Sequence, residues 1–187
     1  MGSTNNAKDQ RRLFLALWPG ETERQQMAEL AKQAAGRRRV RDANLHLTLV
    51  FLGATTPEQL AGYETALENL TMPTLELTLD CYGYWPQPRL LWLGSSCTPP
   101  ELYELVAELH RRLRDCGFVS ERRAFQAHIT LARRFTGRIP AELLAMPVRW
   151  RVSEVSLVES LPSPEGSCYE VLRCWPVGLG SNRLSMG

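Results

Sequence analysis

The chain has 187 residues, 44% of them hydrophobic and 22% charged, with a net charge of +2. It is long enough to bury a core of its own, and this ordinary globular composition excludes disordered and fibrous classes. So small a basic excess does not by itself argue for nucleic-acid binding, and apolar runs such as residues 45–52 are interrupted and far short of the ~20 residues of a membrane span.

The first ten residues are polar and lack the apolar core of a secretion signal. A cytoplasmic protein is therefore expected, with mobile tails at 1–10 and 179–187 around a single domain over 11–178. Alternation of β-branched, aromatic and leucine residues with polar ones predicts a strand over 12–18, and a helix follows over 21–36, ending at Gly36. A strand over 46–52 leads to a helix over 57–70, with Thr56 as N-cap and Pro57 in the first turn. Strands at 75–85 and 90–93 come next. The stretch 100–116 carries Leu102, Leu105, Val106, Leu109 and Leu113 at helical spacing, and Gly117 stands where a C-cap would. Strands at 128–131, 149–160 and 169–176 complete the series, with a single helical turn over 141–145. Strands and helices are mixed without strict βαβ alternation and without a glycine-rich phosphate loop, which favours an α+β fold.

Cys81, Cys97, Cys116, Cys168 and Cys174 are odd in number and include no C-x-x-C pair, so buried, reduced thiols are expected. Of 22 basic residues only Lys8 and Lys32 are lysines. Guanidinium binds phosphate in two-pronged fashion better than ammonium does, although a GC-rich genome would give the same imbalance. The run Arg37, Arg38 and Arg39, with Arg41, reads either as a solvated loop, the commoner case, or as a guide for an RNA strand.

The main functional clue is a repeat. HLTL at residues 46–49 and HITL at 128–131 stand in opposite halves of the chain, which suggests internal duplication into two lobes. On a strand, residues two apart share a face, so each H-x-T presents an imidazole beside a hydroxyl while its leucines or isoleucine face the core. Two such motifs would line a cleft with His46, His128, Thr48 and Thr130. In-line displacement at phosphorus needs one proton removed and another supplied on opposite sides. Two imidazoles with unperturbed pKa near 6.5 can do both, and the hydroxyls can hold the non-bridging oxygens.

A lone histidine on a strand is usually structural. Here, two of only three histidines stand in the same frame, and the third, His110, needs no more than a solvated place near a helix C-terminus. A metal site fails on ligand count, because neither motif holds an Asp, Glu, Cys or further His at ligand spacing. No metal and no cofactor are expected.

The segments RLFLALWP (12–19), DANLHLTLVFLG (42–53), RLLWLG (89–94), RAFQAHITLARR (123–134), VSEVSLVES (152–160) and YEVLRCWPV (169–177) together resemble the two-histidine (2H) phosphoesterases, and within them the RNA 2′,3′-cyclic phosphodiesterases once called 2′-5′ RNA ligases. That resemblance implies a bilobal α+β fold with pseudo-two-fold symmetry, two antiparallel sheets forming a central cleft and helices outside. It also implies His128 as the base that activates water, His46 as the acid that protonates O3′ to leave a 2′-phosphate, and Phe51 and Arg133 flanking the nucleobase. Strand parity turns an offset of five away from the histidine face, so a bulge or a strand end after Leu49 and Leu131 is required; on parity alone Arg134 would face the phosphate and Phe51 the core. Where the family commonly has His-Pro before the second motif, Gln126 and Ala127 stand here.

The expected partners are RNA ends or nucleotides bearing a 2′,3′-cyclic phosphate, with no membrane and no obligate protein partner, and a monomer is expected. Weak reverse ligation is allowed by microscopic reversibility. The alternatives are a phosphodiesterase for 2′-5′ oligonucleotides or small cyclic nucleotides, and a nucleotide- or RNA-binding module without turnover.

Overall fold

The computed structural model describes residues 9–71, 74–120, 123–164 and 166–176. The tails expected at 1–10 and 179–187 thus lie, except for residues 9 and 10, outside the described residues. Among the described residues there are eight strands: β1 (Arg11–Leu17), β2 (Leu47–Thr55), β3 (Leu75–Trp85), β4 (Leu90–Gly94), β5 (Ile129–Ala132), β6 (Leu143–Val152), β7 (Glu154–Ser163) and β8 (Gly166–Pro176). The same residues hold three α-helices, α1 (Glu21–Ala35), α2 (Pro57–Leu67) and α3 (Pro100–Arg114). None of them is long and apolar enough to cross a membrane.

Local chemistry explains the helix ends. Thr56 caps α2 with a reciprocal box: the Gln59 backbone N–H donates to Thr56 Oγ1 at 3.3 Å, and the Thr56 N–H donates to Gln59 Oε1 at 2.9 Å. Gly36 ends α1 at φ +55°, where its N–H reaches the Lys32 carbonyl. In α3 the expected stripe of Leu102, Leu105, Val106, Leu109 and Leu113 is buried. His110 of the same helix is half-buried against Phe118, and burial lowers its pKa, so the solvated place expected for it is not what it occupies.

The strands run antiparallel in the order β6-β3-β4-β5-β2-β1-β7-β8. Two four-stranded halves, β6-β3-β4-β5 and β2-β1-β7-β8, meet at one residue pair, Leu47↔Ile129. The two expected sheets are therefore halves of one sheet with a very short seam. Helix α1 follows β1 but packs on β5 and β6 of the other half, and α3 packs on β2. One buried cluster runs through both halves, from Leu13 and Leu15 in β1 to Leu91 in β4 and Trp150 in β6.

Two expected elements are corrected. The strand expected over 149–160 is two strands, broken at Ser153. Buried positions fall on even numbers before the break (Val148, Trp150, Val152), and the core-facing leucine and valine fall on odd numbers after it (Val155, Leu157). The stretch 141–145 forms no helical turn; from Leu143 it belongs to β6, an edge strand paired only with β3, which is why exposed Leu143 and Met146 and an interior Pro147 are tolerated. Since only Ser153 separates β6 from β7, at most about 7 Å spans the gap. The sheet must therefore curl until strands far apart in its order approach each other. Of the five cysteines, all free, only Cys81 is buried; Cys97, Cys168 and Cys174 are exposed, contrary to the burial expected of them.

Candidate active site

Leu47 and Ile129, the residues that close the seam, each follow a motif histidine, and both are buried on the core side. Extending that antiparallel register by one residue each way sets His46 opposite Thr130 and Thr48 opposite His128. All four side chains leave the strands on the face away from the core. Each histidine thus neighbours its own lobe's threonine along the strand and the other lobe's threonine across the seam.

The two imidazoles are tethered alike. His46 Nδ1 lies 2.7 Å from the Asn44 carbonyl and His128 Nδ1 lies 2.8 Å from the Gln126 carbonyl, in both cases two residues upstream. A carbonyl only accepts, so Nδ1 carries the hydrogen and Nε2 of the neutral ring is left as an acceptor. His46 Nε2 is 3.1 Å from Thr48 Oγ1, whose hydroxyl donates to it. Gln126 and Ala127, in the place of His-Pro, keep this tether intact.

Both histidines are half-buried, in unlike surroundings. His46 stacks on Trp18 at 5.1 Å and 5°, with Phe14 and the edge of Tyr169 each at 5.0 Å. Burial among these rings pushes its pKa down to about 4, helped by the charges of Arg133 and His128 and opposed by the Asn44 carbonyl. His128 meets the edge of Trp85 at 4.6 Å, and the Arg123 guanidinium lies over Trp85 at 4.9 Å from the ring centroid. Its pKa is also lowered, first by burial and then by Arg123 and Arg133. Trp85 is held in turn by Trp92, at 5.6 Å, whose indole lies flat over Gly83 and Gly94. A methyl group on Gly83 would sit 1.9 Å from that ring, so only glycine admits it.

Of the two expected devices, bulge or strand end, it is the bulge that both strands carry. In β2, Leu15 pairs with Val50 and Ala16 with Thr48, leaving Leu49 as the extra residue; in β5, Leu91 pairs with Ala132 and Trp92 with Thr130, leaving Leu131. Leu49 and Val50 are consequently both buried, as are Leu131 and Ala132, and the next residues turn outward. Phe51 is 54% exposed and sits 6.3 Å from Phe14, which itself contacts His46. Arg133 is exposed and its charge acts on both histidines. Arg134, at φ +51°, lines a depression with Pro86, Gln87, Pro88 and Arg89 instead. Phe51 and Arg133 therefore belong to the cleft face, and Arg134 lies beside it.

Phe14, Trp18, Tyr169, Trp85 and Arg123 went unrecognised in the sequence. The even-numbered series Phe14 and Ala16 on β1, continued by Trp18 just beyond it, was a usable signal for Phe14 and Trp18. Tyr169 and Trp85 reach the histidines only through strand order. Among the described residues, no group of three or more His, Cys, Asp or Glu is placed to hold a metal ion.

Comparison with known proteins agrees with this geometry. The family model of LigT-like phosphoesterases matches the chain twice, over residues 17–92 and 93–169, one motif in each. The RNA 2′,3′-cyclic phosphodiesterase of Archaeoglobus fulgidus is 28% identical over 176 residues, which is 87% of this chain and 98% of that protein. The protein of the same name from Escherichia coli K12 is 30% identical over 132 residues, covering 71% and 75%. The crystal structure of E. coli LigT in its apo form matches with a TM-score of 0.80 at 28% identity, covering 90% of this chain and 98% of that one. E. coli LigT has also been solved with 3′-AMP and with ATP. With both halves matched, each around its own H-x-T-x motif, the chain belongs to the LigT-like, two-histidine phosphoesterase family.

Proposed function

We propose that the chain is an RNA 2′,3′-cyclic phosphodiesterase that opens the cyclic phosphate at an RNA end to a 2′-phosphomonoester without a metal. The carrying observation is that His46, Thr48, His128 and Thr130 flank the single seam pair Leu47↔Ile129 on one face, with both imidazoles tethered through Nδ1. Such a set can take a proton from water on one side of phosphorus and give one to the leaving oxygen on the other. The names of the relatives support the substrate. His128 is assigned as base and His46 as acid to O3′, following the family pattern. Thr48 and Thr130 hold the non-bridging oxygens, and Phe51 with Arg133 stacks on the terminal base, a contact that suits any base. Residues 11–178 act as one bilobal unit, and the free cysteines fit a reducing, cytoplasmic setting.

The test is to incubate the protein, in excess chelator, with an RNA oligonucleotide ending in 2′,3′-cyclic phosphate and to locate the phosphate on the product. A 2′-phosphate is expected. A 3′-phosphate would exchange the two histidine roles, and tight binding without turnover would make the chain a binding module.

The pKa shifts set the pH dependence. A histidine with a lowered pKa is neutral at pH 7, so the free enzyme lacks the one proton the pair must hold, and it gains that proton as pH falls. Since kcat/KM reports the free enzyme, it is expected to peak between about 4 and 6.5, the shifted His46 value and the ordinary one, and to decline above. The kcat maximum should lie higher, because bound phosphate favours the imidazolium. Arg133→Gln removes a charge that lowers both histidines and should move the kcat/KM curve to higher pH. A kcat/KM that keeps rising through pH 7 would contradict this account.

A further inference from the structure

The C-terminal end of β5, where Arg133 turns into the cleft, is flanked by arginines on both sides. On one side the segment after α1 joins the strand: Arg39 bridges Ala132, and the Val40 N–H donates to the Leu131 carbonyl at 2.8 Å. This segment brings exposed Arg37 and Arg38 alongside, with Arg38 bonded to Thr136 Oγ1. On the other side the Phe135 N–H donates to the Arg89 carbonyl at 2.8 Å, which sets Arg89 beside Arg134. Both of these arginines have left-handed backbone, φ +64° and +51°, and both line the depression of about 470 Å³ with Pro86, Gln87 and Pro88.

The charge here is largely uncompensated. Asp42 pairs with Arg39, but among the described residues Arg38, Arg89, Arg133 and Arg134 form no ion pair. At the start of β1 in the other half, Arg11 is ion-paired with Glu159 and also feels Glu170 and Glu64. Apart from Arg123, which lies over Trp85, the positive charge next to the cleft gathers at the end of β5. It is continuous with the cleft through Arg133, whose charge reaches both histidines.

We propose that Arg38, Arg89 and Arg134, arranged around the end of β5, form a track for the phosphates of the RNA strand leading 5′ from the cyclic end, so that an oligonucleotide is preferred to a mononucleotide. The proposal rests on the reaction proposed above. Guanidinium suits the role because its planar fork grips phosphate, and a local basic field steers a polyanion towards the site.

The experiment compares a nucleoside 2′,3′-cyclic phosphate with an RNA octamer ending in the same cyclic nucleotide, over a range of salt. For the wild type, kcat/KM on the octamer should exceed that on the mononucleotide at least tenfold at low salt. It should also fall with salt at a log–log slope about 0.7 steeper per phosphate held. Arg38→Gln and Arg89→Gln should each raise KM for the octamer several-fold and reduce that slope by about 0.7, leaving mononucleotide kinetics unchanged. Equal kcat/KM and equal salt dependence for the two substrates would overturn the track. So would a loss of octamer preference in Arg123→Gln but in neither track variant, since the strand would then leave past Trp85. Fluorescence anisotropy of a labelled octamer on His128→Ala protein reads the track without turnover. If the wild type hydrolysed neither substrate but octamer binding lost salt dependence in the track variants, the track would stand and the reaction would fall.

Discussion

Replacing His46 or His128 with alanine is expected to lower kcat on a cyclic-phosphate substrate by about 10²–10⁴-fold, the usual range for loss of a positioned acid or base. One imidazole must accept a proton and the other donate one in the same displacement, so the double variant should be little worse than the weaker single. The Nδ1 tethers to Asn44 and Gln126 hold each ring at its own strand, so either loss leaves the other histidine in place. Steady-state kinetics with thermal unfolding as a control would check this. A fall of less than tenfold in either variant, with the fold intact, would remove that histidine from the chemistry.

The second large effect is expected at the threonines. Thr48→Val and Thr130→Val keep the side-chain shape and delete one donor to the phosphate oxygens, for about 10²–10³-fold in kcat each. Thr48 also donates to His46 Nε2 at 3.1 Å in the resting site, and the same hydroxyl can accept once that ring is protonated. A fall of less than tenfold in kcat in either variant, with the fold intact, would refute the assignment.

What could be read in the sequence was whatever chemistry repeats over a few residues. The two H-x-T-x frames, the apolar stripe of α3 and the N-cap at Thr56 are all local, and the structure has them at those positions. The family resemblance, which sets Phe51 and Arg133 on the histidine face, also called for a bulge or a strand end after Leu49 and Leu131, and the structure has bulges there. What could not be read depends on distant strands. Tyr169 meets His46 because β8 lies two strands from β1, and the stack of Arg123 on Trp85 joins a loop to the end of β3. The misread turn at 141–145 has a similar cause: Ala-Glu-Leu-Leu-Ala has good helix propensity, and pairing with β3 overrides it.

The exchange of elements between the halves bears on how the chain folds. Both neighbours of β3 in the sheet, β4 and β6, come later in the chain, while α1 covers β5 and β6 and α3 covers β2. A fragment ending at Trp85 would carry β3 with no strand to pair with and α1 with its apolar face bare. The duplication that the two motifs reveal is thus no longer a pair of self-sufficient modules. Folding must wait for contacts between residues far apart in sequence, which makes it slow and cooperative. The two histidines come together only when the whole chain has folded.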